Sequence, residues 1–281
     1  MLSYRHAFHA GNHADVLKHL IVVQVLRYMA QKDKPFWYID THAGAGAYAL
    51  DSAQATKNAE FDTGIGPLWD RTDLPPAIAD FVDEVRGMNP DGALRFYPGS
   101  PYLAWNAMRE QDRLRLFELH PTEIDVLREN FRDAGRRAML YAGDGFAGIK
   151  ALLPPAPRRA FVLIDPSYED KKDYARTIET LDASIQRFAT GTYAVWYPQV
   201  QRPESQRFPE QLKRVLPTNW LHASLTVRKP SADGYGLHGS GMFVINPPYT
   251  LEPLLKDTMP YLVRHLGLDA GATFKLESKL S

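Results

Sequence analysis

The chain has 281 residues, 44% hydrophobic, 23% charged and 11% aromatic, enough apolar material for a full core; this excludes a disordered or fibrous polypeptide. Lys plus Arg and Asp plus Glu number 33 each, so the formal net charge is zero and no overall excess points to a polyanionic partner. Cysteine is absent, which excludes disulfides, cysteine-ligated iron–sulfur clusters, thiolate zinc sites and a cysteine nucleophile.

At about 150 residues per domain, this length fits one large domain or one domain with an elaboration. No stretch approaches 18 uninterrupted apolar residues, so no membrane span is expected. The N-terminus is too polar for the apolar region of a secretory signal, and a cytoplasmic protein is expected. Taken in chain order, Leu17, Leu20, Ile21, Val25 and Tyr28 recur at helical spacing and predict a helix from near Ala14 to near Met29. Lys34-Pro35 breaks it, and Phe36 to Asp40 reads as a buried strand. Asp40-Thr41-His42-Ala43-Gly44-Ala45-Gly46 follows. Gly44 and Gly46 would let the backbone approach a ligand and turn towards a helix, and Gly44 to Ala49 satisfies the G-x-G-x-x-A fingerprint. A tight strand-to-helix turn alone would look the same.

Residues from about 51 to 95 read as a small, acidic helical insertion. Between residues 51 and 92, nine acids face only Lys57, Arg71 and Arg86, a balance of −6 that leaves +6 on the rest of the chain. Basic residues gather at Arg5 to Lys34, at Arg128 to Arg137 and at Arg202 to Lys229. This asymmetry suits a basic face for a polyanion, and it suits ordinary solvated surface equally well. Beyond the insertion, short apolar runs at 114–119, 138–143, 160–165 and 193–198 alternate with helical patterns at 101–110, 121–134 and 174–188. Alternation of this kind predicts a mainly parallel sheet in a doubly wound α/β fold. Near the C-terminus, WLHASLTVRKP and GMFVINPP predict two strands joined by a Gly-rich loop, an antiparallel hairpin at the sheet edge.

In an open α/β sheet the ligand lies beyond the carboxyl ends of the strands. Four predicted strands end at or near an acid, Asp40, Glu118, Asp144 and Asp165. Each alone could cap a helix. Together they suggest a ligand with hydroxyl and amino groups: Glu118 for ribose hydroxyls, and Asp144 for an adenine amino group, with Gly145 permitting close approach. Ser100 before Pro101 reads as the cap of a helix whose N-terminus could receive a carboxylate. His6, His9, His13 and His19 could converge on a metal, but only Asp15 lies close in sequence to complete a site, so no metal is expected. Trp37, Trp105 and Trp196 read as core residues.

Ile164-Asp165-Pro166-Ser167-Tyr168 resembles the (D/N)PP(Y/F) loop of amino-methyltransferases that use S-adenosylmethionine, with serine in place of the second proline. With it stand Tyr4-Arg5-His6, the segment from His9 to His19, DTHAGAG, YPGSP, ELHP, DGF and INPPY. Over nearly its whole length the chain resembles the RlmJ family of 23S rRNA adenine-N6 methyltransferases, whose target is position 2030. The resemblance implies a Rossmann-like class I fold acting as a single domain, with S-adenosylmethionine as cofactor and 23S rRNA as partner. It implies that His19, His42, Gly44, Gly46, Ser100, Glu118, Asp144 and Gly145 meet the cofactor. Asp165 and the carbonyl of Pro166 would accept the two hydrogens of the target amino group, and Tyr168 would stack on the base. Tyr4 and Lys18 would meet the RNA. A DNA adenine methyltransferase is the alternative within this chemistry, disfavoured by the short chain without an evident target-recognition domain. An NAD-binding oxidoreductase is the alternative outside it, disfavoured by the DPSY loop. Asn246-Pro247-Pro248-Tyr249 matches the general motif letter for letter, but it ends the predicted hairpin and is expected remote from the cleft. No membrane partner is expected, and the sequence leaves the oligomeric state open.

Overall fold

The computed structural model describes residues 6–280. Helix α1 (His13–Ala30) starts where the Asn12 side chain accepts from the N–H groups of Ala14 and Asp15. It runs almost wholly buried, as the apolar stretch Leu17 to Leu26 requires. Strand β1 (Trp37–Asp40) follows, then the glycine loop, then a three-residue strand, β2 (Ala47–Ala49). The acidic segment forms α2 (Ala53–Asn58), α3 (Gly66–Trp69) and α4 (Pro76–Gly87), and strand β3 (Phe96–Pro98) returns antiparallel to β2. The predicted insertion is thus helical and clamped at its base by a two-stranded ribbon that the sequence reading did not contain.

The chain then alternates: α5 (Ser100–Ala107), β4 (Arg113–Glu118), α6 (Pro121–Asn130), β5 (Ala138–Ala142), α7 (Gly145–Gly148), β6 (Ala160–Ile164), α8 (Lys172–Arg187) and β7 (Thr192–Gln199). Helix α9 (Pro203–Val215) precedes β8 (Trp220–Thr226) and β9 (Gly239–Ile245), and α10 (Leu251–Leu266) leads to β10 (Thr273–Lys279). Eight strands form one sheet in the order β10-β8-β9-β7-β6-β1-β4-β5. Strands β5, β4, β1, β6 and β7 are parallel; β9 and β8 join antiparallel, as does β10 to β8.

The hairpin placement at the sheet edge is corrected by this order. Strand β10 covers β8, and its exposed Lys275 and Lys279, with half-buried Glu277 between them, make the charged edge that discourages pairing with other chains. Because side chains alternate across a strand, each central strand feeds two cores. Tyr38, Leu114 and Phe161 pack with α1, α4, α5 and α10. Ile39, Val162 and Val195 pack with α8 and α9. The result is a three-layer sandwich. From β1 the chain winds to β4 and β5 on one side, then crosses to β6 and β7 on the other. The switch in direction opens a crevice at the carboxyl ends of β1 and β6, where ligands bind in such sheets.

Candidate functional site

Asp40, at the end of β1, is fully buried. Its Oδ2 accepts from Tyr38 Oη (2.8 Å) and Ser100 Oγ (2.6 Å), and its Oδ1 accepts from the His42 N–H (3.1 Å). Burial raises its pKa, against those three donors. Ser100 is therefore not the cap: Gly99 holds that position, and the Ser100 hydroxyl braces Asp40 because it stands in the first turn of α5 facing β1. The glycine loop also departs from expectation, leading into β2 rather than a helix. Gly44 has φ +61°, and a Cβ there would fall 2.3 Å from Tyr48 Oη; Gly46 has φ +83°. Without a helix N-terminus behind the loop, the dinucleotide fingerprint lacks the dipole that would hold a pyrophosphate.

One cavity lies over the ends of β1, β4 and β6, lined by His19, Thr41, His42, Gly44, Gly99, Ser100, Glu118, Leu119, Asp144, Gly145, Phe146, Asp165 and Pro166 among others. Glu118, at the end of β4, is fixed by two backbone donors, Gly44 N–H to Oε2 (2.8 Å) and His120 N–H to Oε1 (2.6 Å). Burial raises its pKa, opposed by the His120 and Gly44 N–H groups. Asp144 caps the short α7 through the Phe146 N–H (2.9 Å), and its other oxygen pairs with Arg176, a residue the sequence reading did not single out. Gly145 is dictated by the loop beneath it, since a Cβ would fall 2.0 Å from the Thr41 carbonyl oxygen. His42 lies edge-on to Phe146, 4.7 Å between ring centroids, and burial, opposed by Asp144 and assisted by Arg176, lowers its pKa to about 3. His19 is buried with Nδ1 2.9 Å from Tyr97 Oη, and burial holds its pKa well below the usual value. Both imidazoles are neutral at pH 7.

Asp165 follows β6. Its Oδ2 accepts from Lys18 Nζ (2.7 Å), which also donates to Asp15 Oδ1 (2.9 Å). Burial pushes the Asp165 pKa up to about 6, against the opposing pull of Lys18. Although burial would raise that of Asp15, its neighbours His6 and the Lys18 ammonium hold it well below the carboxylate range. Asp15 also accepts from the Gly11 N–H and lies 2.8 Å from His6 Nε2. The four N-terminal histidines do not converge: His6 meets Asp15, His9 meets Glu60, His19 meets Tyr97, and His13 is buried apart. Among the described residues no group of three potential metal ligands forms.

A second cavity lies on the other side of Asp165, lined by Lys18, Asp165, Ser167, Trp196, Pro198, Val200, Arg202 and Leu237 among others. Asp165, Lys18, His6 and Ser167 line both cavities. Tyr168, expected to stack on the base, is 2% exposed. Its backbone takes φ +54°, which turns the ring inward to lie 4.5 Å from Tyr174, and its hydroxyl donates to the Trp196 carbonyl. Tyr168 is packed in the core and also lines the second cavity. Trp196, expected in the core, packs half-buried against both core clusters and also lines the second cavity, and its buried Nε1 has no hydrogen-bond partner among the described residues. Asn246 sits at the opposite end of the sheet, where β9 runs antiparallel to β7, and its side-chain amide donates to the carbonyls of Ala189 and Gly191. Tyr4 lies outside the described residues.

Comparison with known proteins gives a consistent picture. The family model described as "Ribosomal RNA large subunit methyltransferase D, RlmJ" matches residues 33–277. A Haemophilus influenzae protein named "Ribosomal RNA large subunit methyltransferase J" is 45% identical over 278 residues, covering 99% of this chain and 98% of its own. Its Escherichia coli namesake is 45% identical over 262 residues, 93% of each. A crystal structure of a Legionella pneumophila protein, 34% identical, superposes with a TM-score of 0.89 over 96% of this chain and 98% of that one.

Proposed function

The chain belongs to the RlmJ family of ribosomal RNA large subunit methyltransferases, and from that premise we propose how its own residues carry the reaction. It is a methyltransferase of large-subunit ribosomal RNA that uses S-adenosylmethionine and modifies the N6 amino group of an adenine. We assign the substrate to 23S rRNA, position 2030, on family membership. A substrate of that kind supports a cytoplasmic location; no described helix is long and apolar enough to cross a membrane. The helices of the insertion share a core with the sheet through Ile78 and Phe81, which supports reading the whole chain as one methyltransferase unit.

The donor set of the first cavity fits the cofactor. Glu118, immobilised by two backbone donors, presents a fixed carboxylate to a ribose diol. Leu119, Phe146 and the edge of His42 offer an apolar wall for a purine, with Asp144 beside it. The amino-acid end would lie towards His19, Gly99 and the turn at Gly44. When bound, S-adenosylmethionine supplies an electrophilic methyl group on its sulfonium.

The observation that carries the mechanism is the place of Asp165, in the wall shared by the two cavities. From there its carboxylate and the Pro166 carbonyl can accept the two N6 hydrogens of an adenine held in the second cavity. This fixes the amine facing the first cavity and stabilises the positive charge that grows on nitrogen as the C–N bond forms. Lys18 keeps Asp165 ionised at neutral pH despite its burial, and Asp15 gives the ammonium a second partner when Asp165 turns to the base. With a pKa of about 6, Asp165 can also take up the surplus proton, directly or through water. Trp196 and Pro198 supply the apolar surface of the base cavity.

Calorimetric titration tests the cofactor half. S-adenosylmethionine is expected to bind wild-type protein, NAD is not, and Glu118→Ala should weaken the former at least about tenfold, the effect of losing one charged hydrogen-bond partner. Binding of NAD in preference would favour the oxidoreductase reading and overturn this one.

A further inference from the structure

The second cavity opens between the start of α9 and the loop joining β8 to β9. Arg202 and Leu237 stand at its mouth. The loop is bound to that mouth at several points. Gln201 donates to the Ser231 carbonyl (2.5 Å), the His238 N–H donates to the Gln199 carbonyl (3.1 Å), and the Arg228 guanidinium donates to the Leu237 carbonyl (3.0 Å). The Arg202 guanidinium donates to the Tyr168 carbonyl (3.3 Å). Among the described residues neither Arg202 nor Arg228 pairs with a carboxylate, whereas Arg27, Arg71, Arg86, Arg95, Arg109, Arg128, Arg132 and Arg176 do. The loop's one acid, Asp233, is occupied in shaping the turn, accepting from the Ser231 hydroxyl and the Tyr235 N–H. Between Gly234 (φ +79°) and Gly236 (φ +89°) the turn presents Tyr235, 81% exposed, the most exposed large hydrophobic side chain among the described residues.

Guanidinium groups that no carboxylate neutralises, beside an exposed aromatic ring, form the combination that holds single-stranded nucleic acid: cations for phosphates, a ring face for an unpaired base. We propose that residues 228–238 and the start of α9 form the surface on which the RNA flanking the target adenine docks. Arg202 and Arg228 face its phosphates, and Tyr235 stacks a neighbouring unpaired base. This rests on the function assigned above. It adds where the strand lies: along the β8–β9 side of the second cavity, away from the acidic insertion. The anchoring of the loop to the cavity mouth makes the surface pre-formed rather than ordered on binding.

The test uses the full chain and a fluorescent stem–loop fragment of 23S rRNA carrying the target adenine, with binding followed by anisotropy at several salt concentrations. The double variant Arg202→Ala/Arg228→Ala is expected to bind at least about tenfold more weakly, and its slope of log affinity against log salt should be shallower by about 1 to 2, as befits two lost phosphate contacts. Tyr235→Ala should weaken binding by about five- to 100-fold with the slope unchanged, the signature of a lost stack. Affinity for S-adenosylmethionine and the thermal transition should stay at wild-type values in all variants. Wild-type RNA affinity and slope in the variants would overturn the docking surface. Failure of the wild-type protein to methylate the fragment would overturn instead the reading on which it rests.

Discussion

Asp165 carries the largest physical tension in the molecule, a carboxylate that must be ionised to work and is raised to about 6 by burial. Methyl transfer under single-turnover conditions should therefore fall as pH drops through about 6. Lys18→Met removes the ammonium that favours the charged form, so the same midpoint should move to higher pH; an unmoved midpoint would show that another group titrates. The sign for stability is opposite to that of an ordinary paired aspartate. The folded pKa lies above the unfolded value of 3.8, so the folded state binds the extra proton between about 4 and 6 and loses stability as pH rises through that window. Asp165→Asn removes this cost, of the order of 1–3 kcal/mol at 1.36 kcal/mol per pKa unit. At pH 7 to 8 the inactive variant should melt higher than wild type, with the gain shrinking towards pH 4. An equal gain at both ends of that range would contradict the account. Asp15→Ala should do the reverse. It removes one of the two carboxylates that hold the buried Lys18 ammonium, together with the acceptor of the Gly11 N–H, and breaking a buried pair costs up to about 3–5 kcal/mol.

At the level of elements, strand direction separates two loops that look alike as letters. Asn246 ends β9, antiparallel to β7, and its amide ties down the turn at Ala189 and Gly191. Asn246→Ala should cost about 1–3 kcal/mol for the two hydrogen bonds its amide makes to the Ala189 and Gly191 carbonyls and leave methyl transfer near wild type below its melting temperature. An inactive but fully stable variant would contradict that placement. The alternation of short apolar runs and helical patterns was enough to read the parallel strands and the long α1, because burial on both faces leaves an apolar run whatever the surroundings. The β2–β3 ribbon escaped because three-residue strands carry no periodicity. Strand β10 escaped because Thr273–Lys279 is a polar edge, and α9 and α10 contain Pro209 and Pro260 inside the helix, which reads as a break. Site residues at strand ends were legible for the same reason as the strands. Partners brought from a distance, such as Arg176 for Asp144 and Asp15 for Lys18, were not. Nor was the inward turn of Tyr168, which depends on a left-handed backbone at that one residue.

For the whole molecule, charge arrangement matters more than its sum. The zero total conceals −6 on residues 51–92 and +6 elsewhere. RNA affinity should therefore fall steeply between about 50 and 200 mM salt, while affinity for the cofactor, enclosed between strand ends, should change little. A salt-independent RNA affinity would place recognition outside the basic surface. Three layers of structure, a glycine loop and two abutting cavities converge on one carboxylate, and the most direct measurement addresses that point. Wild-type and Asp165→Ala proteins are incubated with 23S rRNA and methyl-labelled S-adenosylmethionine, the modified nucleoside is identified and its position mapped, and cofactor affinity is measured in parallel. The expected result is N6-methyladenosine at a single site with the wild type, and no transfer by Asp165→Ala despite retained cofactor binding. Label on a different atom or base, or transfer by Asp165→Ala at the wild-type rate, would contradict it.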